Sequence, residues 1–365
     1  MTAVKNNALP PAKQREGNIE LLRIVCMLLI VAHHMAYHGS AMRSSVWGNK
    51  VLGYLLFSGG QTGVNCFVMI TGYCLASFRA RRFFATLLET AFYSVGLILL
   101  MKWTGLRSDI QLTWPMLRDA ALVITRSPYW FVVMYLGLTA ALPLLQPAVK
   151  NLSRNAHLWV LLFGAVYMCL VPTLTIQNPS SQYFHQFTWF LFLYCLGAYF
   201  KKYPSPIKQC LPLQAAVFLS MIAAMTVLML WGEEHQDFFQ RVAGRQNFVA
   251  DKNTVLQVIC TCSLFLFFTG LKIKPYRPLT LLSGASFGVY LIHDHGQVRG
   301  YLWGNLLQVG VRCQQSGFWV TALLAPLAIY LCCAVIDIAR KYLLEKPLIR
   351  MLNPVFEKID AWLAR

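Results

Sequence analysis

The chain has 365 residues, 57% of them hydrophobic and only 13% charged, with a mean hydropathy of +0.51; this excludes an ordinary soluble domain in favour of a polytopic membrane protein. A net charge of +18 is what Lys- and Arg-rich cytoplasmic loops produce against anionic lipid, and with no RNA- or DNA-binding motif it points to a lipid surface and away from nucleic acid. The 11 cysteines, most of them inside apolar runs, give neither a disulfide framework nor the spacing of a metal site, so no metal is expected.

The expected fold is an all-α integral membrane protein of about ten transmembrane helices with both termini cytoplasmic. Residues 1–18 read as a polar, basic cytoplasmic tail. The apolar run behind it contains an arginine and lacks a small-residue cleavage site, so it is an uncleaved first span rather than a signal peptide. Apolar runs able to cross a core of about 30 Å fall near 19–38, 51–77, 83–103, 128–147, 157–175, 186–200, 211–231, 254–271, 279–303 and 317–338. With the N-terminus inside, inner Lys and Arg outnumber outer ones by roughly two to one. Residues 19–345 make one multi-span domain without a clear internal repeat, and 346–365 form a basic cytoplasmic tail.

The first span carries Arg23 and His34. At about 100° per residue the step between them brings His34 back to within roughly 20° of Arg23 on one helix face, and at about 1.5 Å per residue it separates them by roughly 16 Å. An ionisable residue inside a span usually turns toward a bundle interior or wet cavity and marks a functional site. Arg23 alone is also explained by snorkelling to the inner headgroups with Glu20 as its partner, and His34 alone by a wet outer interface. The aligned pair favours function. His33 lies about 100° away and is expected to face elsewhere.

The second span holds Gly59, Gly60, Gly63, Gly72 and Asn65 between Ser58 and Tyr73. Close helix packing explains Gly63 and Gly72, whereas the amide of Asn65 must find partners at membrane depth and could orient a histidine on the cavity side. The fourth span opens Arg126, Ser127, Pro128, Tyr129, Trp130; an interfacial aromatic belt explains the rings, and sugar stacking is the functional alternative. In the ninth span, between Ser283 and His295, the run of His293, Asp294 and His295 could be a solvated mouth, yet His293 follows an apolar stretch and is a second candidate ring for the cavity.

Together Arg23 and His34 with ten residues between them, the glycine-rich 63–73, the aromatic start of span four with its later Pro143, the segment Ser286 to His293 and the late Glu345, Lys346, Pro347 resemble the membrane acyltransferase family 3. The resemblance covers nearly the whole chain. Thr71 stands where Ser is usual, Cys66 and Val68 replace bulkier residues that shape the acyl pocket, and His33 doubles the histidine.

The resemblance implies a multi-pass enzyme of the bacterial inner membrane that moves an acyl group, usually acetyl, from cytoplasmic acyl-coenzyme A to a sugar hydroxyl of a cell-envelope or exported glycan or its lipid-linked precursor. Arg23 is the phosphate ligand, because its planar fork stays charged and bonds bidentately, and Arg79, Arg81 and Arg82 add charge on the same side. An extended pantetheine arm is comparable in length to the roughly 16 Å between Arg23 and His34. His34 is either a general base or a ring that is itself acylated; Asn65, Trp130 and His293 stand on the substrate side. A secondary transporter or exporter of a glycan intermediate is the alternative, although the polar segments 58–73 and 283–295 are not evident repeats of each other. A structural or sensory subunit would not need the aligned pair.

Overall fold

The computed structural model describes residues 15–125, 129–175, 183–204, 210–237 and 248–363. Residues 1–14 of the expected tail, the Arg126 and Pro128 that open the fourth span, and Lys208, Arg241 and Arg245 among the loop cations lie outside the described residues. Every element among the described residues is helical.

The first helix, α1 (Gly17–His38), is packed on by α2 (Trp47–Ser58), α3 (Gly60–Tyr73), α10 (Val255–Gly270), α11 (Arg277–His293) and α12 (Phe318–Arg340), so the span bearing Arg23 and His34 sits inside the bundle. Around this centre stand α4 (Ala80–Trp103), a short α5 (Trp114–Ala121), α6 (Trp130–Asn151), α7 (Arg154–Ala165, running on through Val166–Leu170 and Val171–Thr175), α8 (Tyr183–Lys202) and α9 (Leu211–Glu234). Their outer faces expose Leu100, Leu144, Trp159 and Leu219, which suits contact with lipid tails.

Seven helical stretches among the described residues are long and apolar enough to cross a membrane. They coincide with seven of the ten expected spans. The other three are helical but differ in form. The span expected at 51–77 is two helices meeting at Gly59; 186–200 falls within α8; and the span expected to run from 279 to 303 stops at His293, after which Gly296–Gly300, Tyr301–Leu306 and Val309–Arg312 follow as short turns.

The break at Gly59 has a steric cause. A Cβ at Gly59 would sit 2.9 Å from Leu29 Cδ2, and one at Gly60 would overlap the His33 ring, so the glycine pair lets α1 press into the joint. Deeper in the bundle, α3 and α8 cross where Gly72 lies on the Tyr194 backbone and Gly197 on that of Met69, the close approach that small residues allow between helices in lipid.

Beyond α12 the helix runs on through the π-helical Lys341–Glu345 into α13 (Lys346–Leu363), so the expected basic tail is an amphipathic helix over its described length. Its Ile349 and Phe356 are buried with Ala80, Phe356 stacks on Phe84, and Asp360 Oδ1 accepts the Ala80 amide at 2.8 Å. The C-terminal helix is thereby clamped to the start of α4, beside Arg79 and Arg82.

Candidate functional site

A cavity of about 610 Å³ runs between α1, α3, α4, α6, α11 and α13. Arg15, Arg23, Arg79, Arg81, Arg82, Lys341 and Lys346 line it, as do His33, His34, Trp130 and Asp294, with Met27, Phe67, Phe131, Tyr135, Phe287 and Tyr290 among its apolar and aromatic lining.

The helix pairing orders these residues. α1 and α11 run side by side in the same direction: Glu20 meets Ser283, whose hydroxyl donates to Glu20 Oε2, and His34 meets His293, with Nδ1 of the first 2.9 Å from Nε2 of the second. Lys341 Nζ reaches the Gly284 carbonyl at 3.4 Å, which puts the C-terminal cations at the Arg23 end. Tyr129 donates its hydroxyl to the Leu291 carbonyl at 2.7 Å, which puts the start of α6, and so Trp130, at the His34 end. The cavity therefore has a cationic end and a histidine end.

At the cationic end Arg23 Nη1 is 3.7 Å from Glu20 Oε1, while a third of its side chain stays exposed to the cavity. Glu20 is buried and also lies 3.7 Å from Arg15. Both readings of Arg23 from sequence thus meet in one geometry, since the pairing with Glu20 does not remove the guanidinium from the cavity.

At the histidine end Asp294 Oδ1 lies 3.7 Å from His34 Nδ1 and 3.6 Å from His38 Nε2, too far for a hydrogen bond to either, and it is buried without a hydrogen-bond partner. Arg299 Nη1 stands 3.6 Å from the same oxygen. His34, His38 and Asp294 each offer a ligand atom within 4.8 Å of the other two, a group that could hold a cation among the described residues.

Of the residues singled out in sequence, Arg23, His34, Arg79, Arg81, Arg82 and Trp130 line this one cavity; Asn65 and His293 do not. Asn65 is fully buried behind α3, donating from Nδ2 to the Lys252 carbonyl at 2.7 Å and accepting the Trp189 indole N–H at 3.0 Å, so its amide ties α3 to α8. His293 is buried behind His34. One face of Trp130 carries Lys252 Nζ at 4.3 Å from the ring centroid.

The expectation for His33 is corrected: both histidines of the pair line the cavity. His33 is nevertheless tied down, with Nδ1 2.6 Å from the Phe57 carbonyl and its ring stacked on Phe57 at 4.4 Å.

Sequence reasoning passed over a buried charge cluster beside the cationic end. Arg340 pairs with Asp337 at 2.9 Å, Glu89 at 3.0 Å and Glu345 at 2.8 Å, and Tyr93 donates to Asp337 at 3.0 Å. The signal was an acid and a base three residues apart at the end of an apolar run, which places them on one helix face. Glu89 and Glu345 also line the cavity.

The family model described as an acyltransferase domain matches residues 16–337, a span that holds Arg23, His34 and most of the cavity lining, with Arg15, Lys341 and Lys346 outside it. No curated protein and no solved structure matches the chain.

Proposed function

We propose, from the premise that the chain belongs to the acyltransferase family 3, that this membrane acyltransferase takes an acyl group, acetyl in the first instance, from cytoplasmic acyl-coenzyme A and places it on a sugar hydroxyl of a cell-envelope or exported glycan. The observation that carries the reading is the single cavity joining the arginines to His34. Arg23, Arg79 and Arg82 hold the donor's phosphates, Arg forks being suited to bidentate phosphate contact, and the roughly 16 Å of α1 between Arg23 and His34 suits an extended pantetheine arm. The aromatic and apolar walls between them accommodate that arm.

At the far end His34 acts as general base. It takes the proton of the acceptor hydroxyl as that oxygen attacks the thioester carbonyl; the C–S bond breaks, and the departing thiolate recovers the proton from the imidazole. Trp130, exposed at the same end, offers a ring face to a sugar. Membrane lipid surrounds the bundle, both termini are cytoplasmic, and the membrane is the bacterial inner membrane.

The test is transfer itself. Purified protein with radiolabelled acetyl-coenzyme A and an envelope glycan fraction is expected to give labelled glycan, and deletion of the gene to lower one glycan's mass by an acyl unit. Absence of both label and mass change overturns the reading.

A further inference from the structure

We propose that His293 is a positioning residue: it holds His34 in the neutral tautomer that carries its proton on Nδ1, leaving Nε2 as the basic nitrogen. The proposal rests on the reading of His34 as the base.

The assignment follows from which atoms can donate. His293 Nδ1 lies 2.6 Å from the Val289 carbonyl oxygen, one helical turn back on α11. A carbonyl oxygen only accepts, so the proton of this contact is on His293 Nδ1. A neutral imidazole carries one ring proton, so His293 Nε2 is bare and can only accept. The atom facing it at 2.9 Å is His34 Nδ1, which must then donate. His34, with its single proton spent on Nδ1, keeps the lone pair on Nε2. The reverse arrangement would set a bare His293 Nδ1 against a carbonyl oxygen at hydrogen-bond distance, two acceptors in contact with no proton between them.

The support is rigid. Val289 and His293 are both fully buried, and the hydrogen bond that fixes the His293 ring is to its own helix, so the ring has no freedom to follow a wandering partner. This is the logic by which the second hydrogen bond of a histidine decides which nitrogen does chemistry. The chain of contacts also survives the reaction. When His34 Nε2 takes the hydroxyl proton the ring becomes a cation, its Nδ1–H still donates to His293, and the carboxylate of Asp294, 3.7 Å from Nδ1, supplies the opposing charge. When the proton passes to the leaving thiolate the original tautomer returns.

Two variants and one spectroscopic measurement test the proposal. His293→Leu removes the acceptor; kcat should fall roughly 10- to 100-fold, the usual cost of losing such an outer-shell partner, while KM for the acyl donor stays unchanged. His293→Gln puts an amide oxygen near the position of the lost Nε2 and should restore most of the rate. In the unsubstituted protein, labelled at histidine nitrogens and assigned by the signals lost in His34→Ala, His34 should show a protonated Nδ1 and a bare Nε2. A bare Nδ1, or full activity in His293→Leu, overturns the positioning role, as does a Gln variant no better than Leu with donor affinity intact. Failure of the underlying reading has a different signature, an active His34→Ala.

Discussion

Arg23 and Glu20 form an ion pair one helical turn apart on α1, yet the arginine still faces the cavity while the glutamate is buried and held by Ser283. Glu20 thus orients the guanidinium from below, leaving part of its fork open to an incoming anion. Arg23→Lys keeps the charge and loses the fork, so donor affinity should fall by about tenfold or more while the fold is retained. Calorimetry of acetyl-coenzyme A on purified protein checks this; unchanged affinity removes Arg23 from the phosphate site.

Arg23 and His34 were legible in sequence because both lie on one helix, where rise and turn per residue convert spacing into geometry. Partners across helices were not legible. His34 and His293 are 259 residues apart, and helical phase says which face each occupies but not which two faces meet. Asn65 shows the same limit: its depth in an apolar run required partners, but nothing in the run pointed to Trp189 and Lys252, which take its amide away from the cavity. The break in the second span was only partly legible: Ser58, Gly59, Gly60 and Gln61 interrupt the apolar run at 51–77, but nothing in that run places Leu29 against Gly59 or His33 against Gly60.

Those glycines lead to a stability prediction. A Cβ at Gly72 would overlap the Tyr194 backbone, which cannot move aside as a flexible side chain can, whereas a Cβ at Gly96 on α4 meets nothing within 4 Å. Gly72→Val should cost about 1–3 kcal/mol or more by overpacking, and Gly96→Ala should be neutral or favourable by up to about 1 kcal/mol. Thermal unfolding of both variants in detergent tests the contrast; equal melting temperatures would mean that α3 and α8 do not cross as described.

Topology is tested at two positions. Lys201 pairs with Glu16 at 2.8 Å, so the end of α8 and the start of α1 share one face, expected to be cytoplasmic. Asp109, in the segment after α4, is expected outside. A cysteine at Lys201 should resist a membrane-impermeant maleimide in intact cells and one at Asp109 should react, relative to the unsubstituted protein. Labelling of both, or of Lys201 alone, reverses the assignment.

An acyltransferase also differs from an exporter in what it does without an acceptor. Water admitted at the histidine end can be activated by the same base, so slow release of free coenzyme A from acetyl-coenzyme A is expected from the protein alone, and His34→Ala should abolish it. A transporter would release none and would move substrate into sealed vesicles with no thioester present.

The doubled histidines give the sharpest test, because both line the cavity and differ in what holds them. His33 sits against the Phe57 carbonyl and is stacked on the Phe57 ring, so its polar edge is engaged at the joint between α2 and α3. His34 shares the face of Arg23 and stands among His38, His293 and Asp294. His33→Ala should therefore lower stability, by leaving a gap beside Phe57, yet retain a measurable transfer rate. His34→Ala should lose about 10² to 10⁴ in rate, the usual contribution of a general base, with donor affinity kept. Transfer rates and donor binding measured side by side separate the two effects: a dead His33→Ala with an active His34→Ala would move the chemistry to the other ring, and two fully active variants would remove histidine from the mechanism.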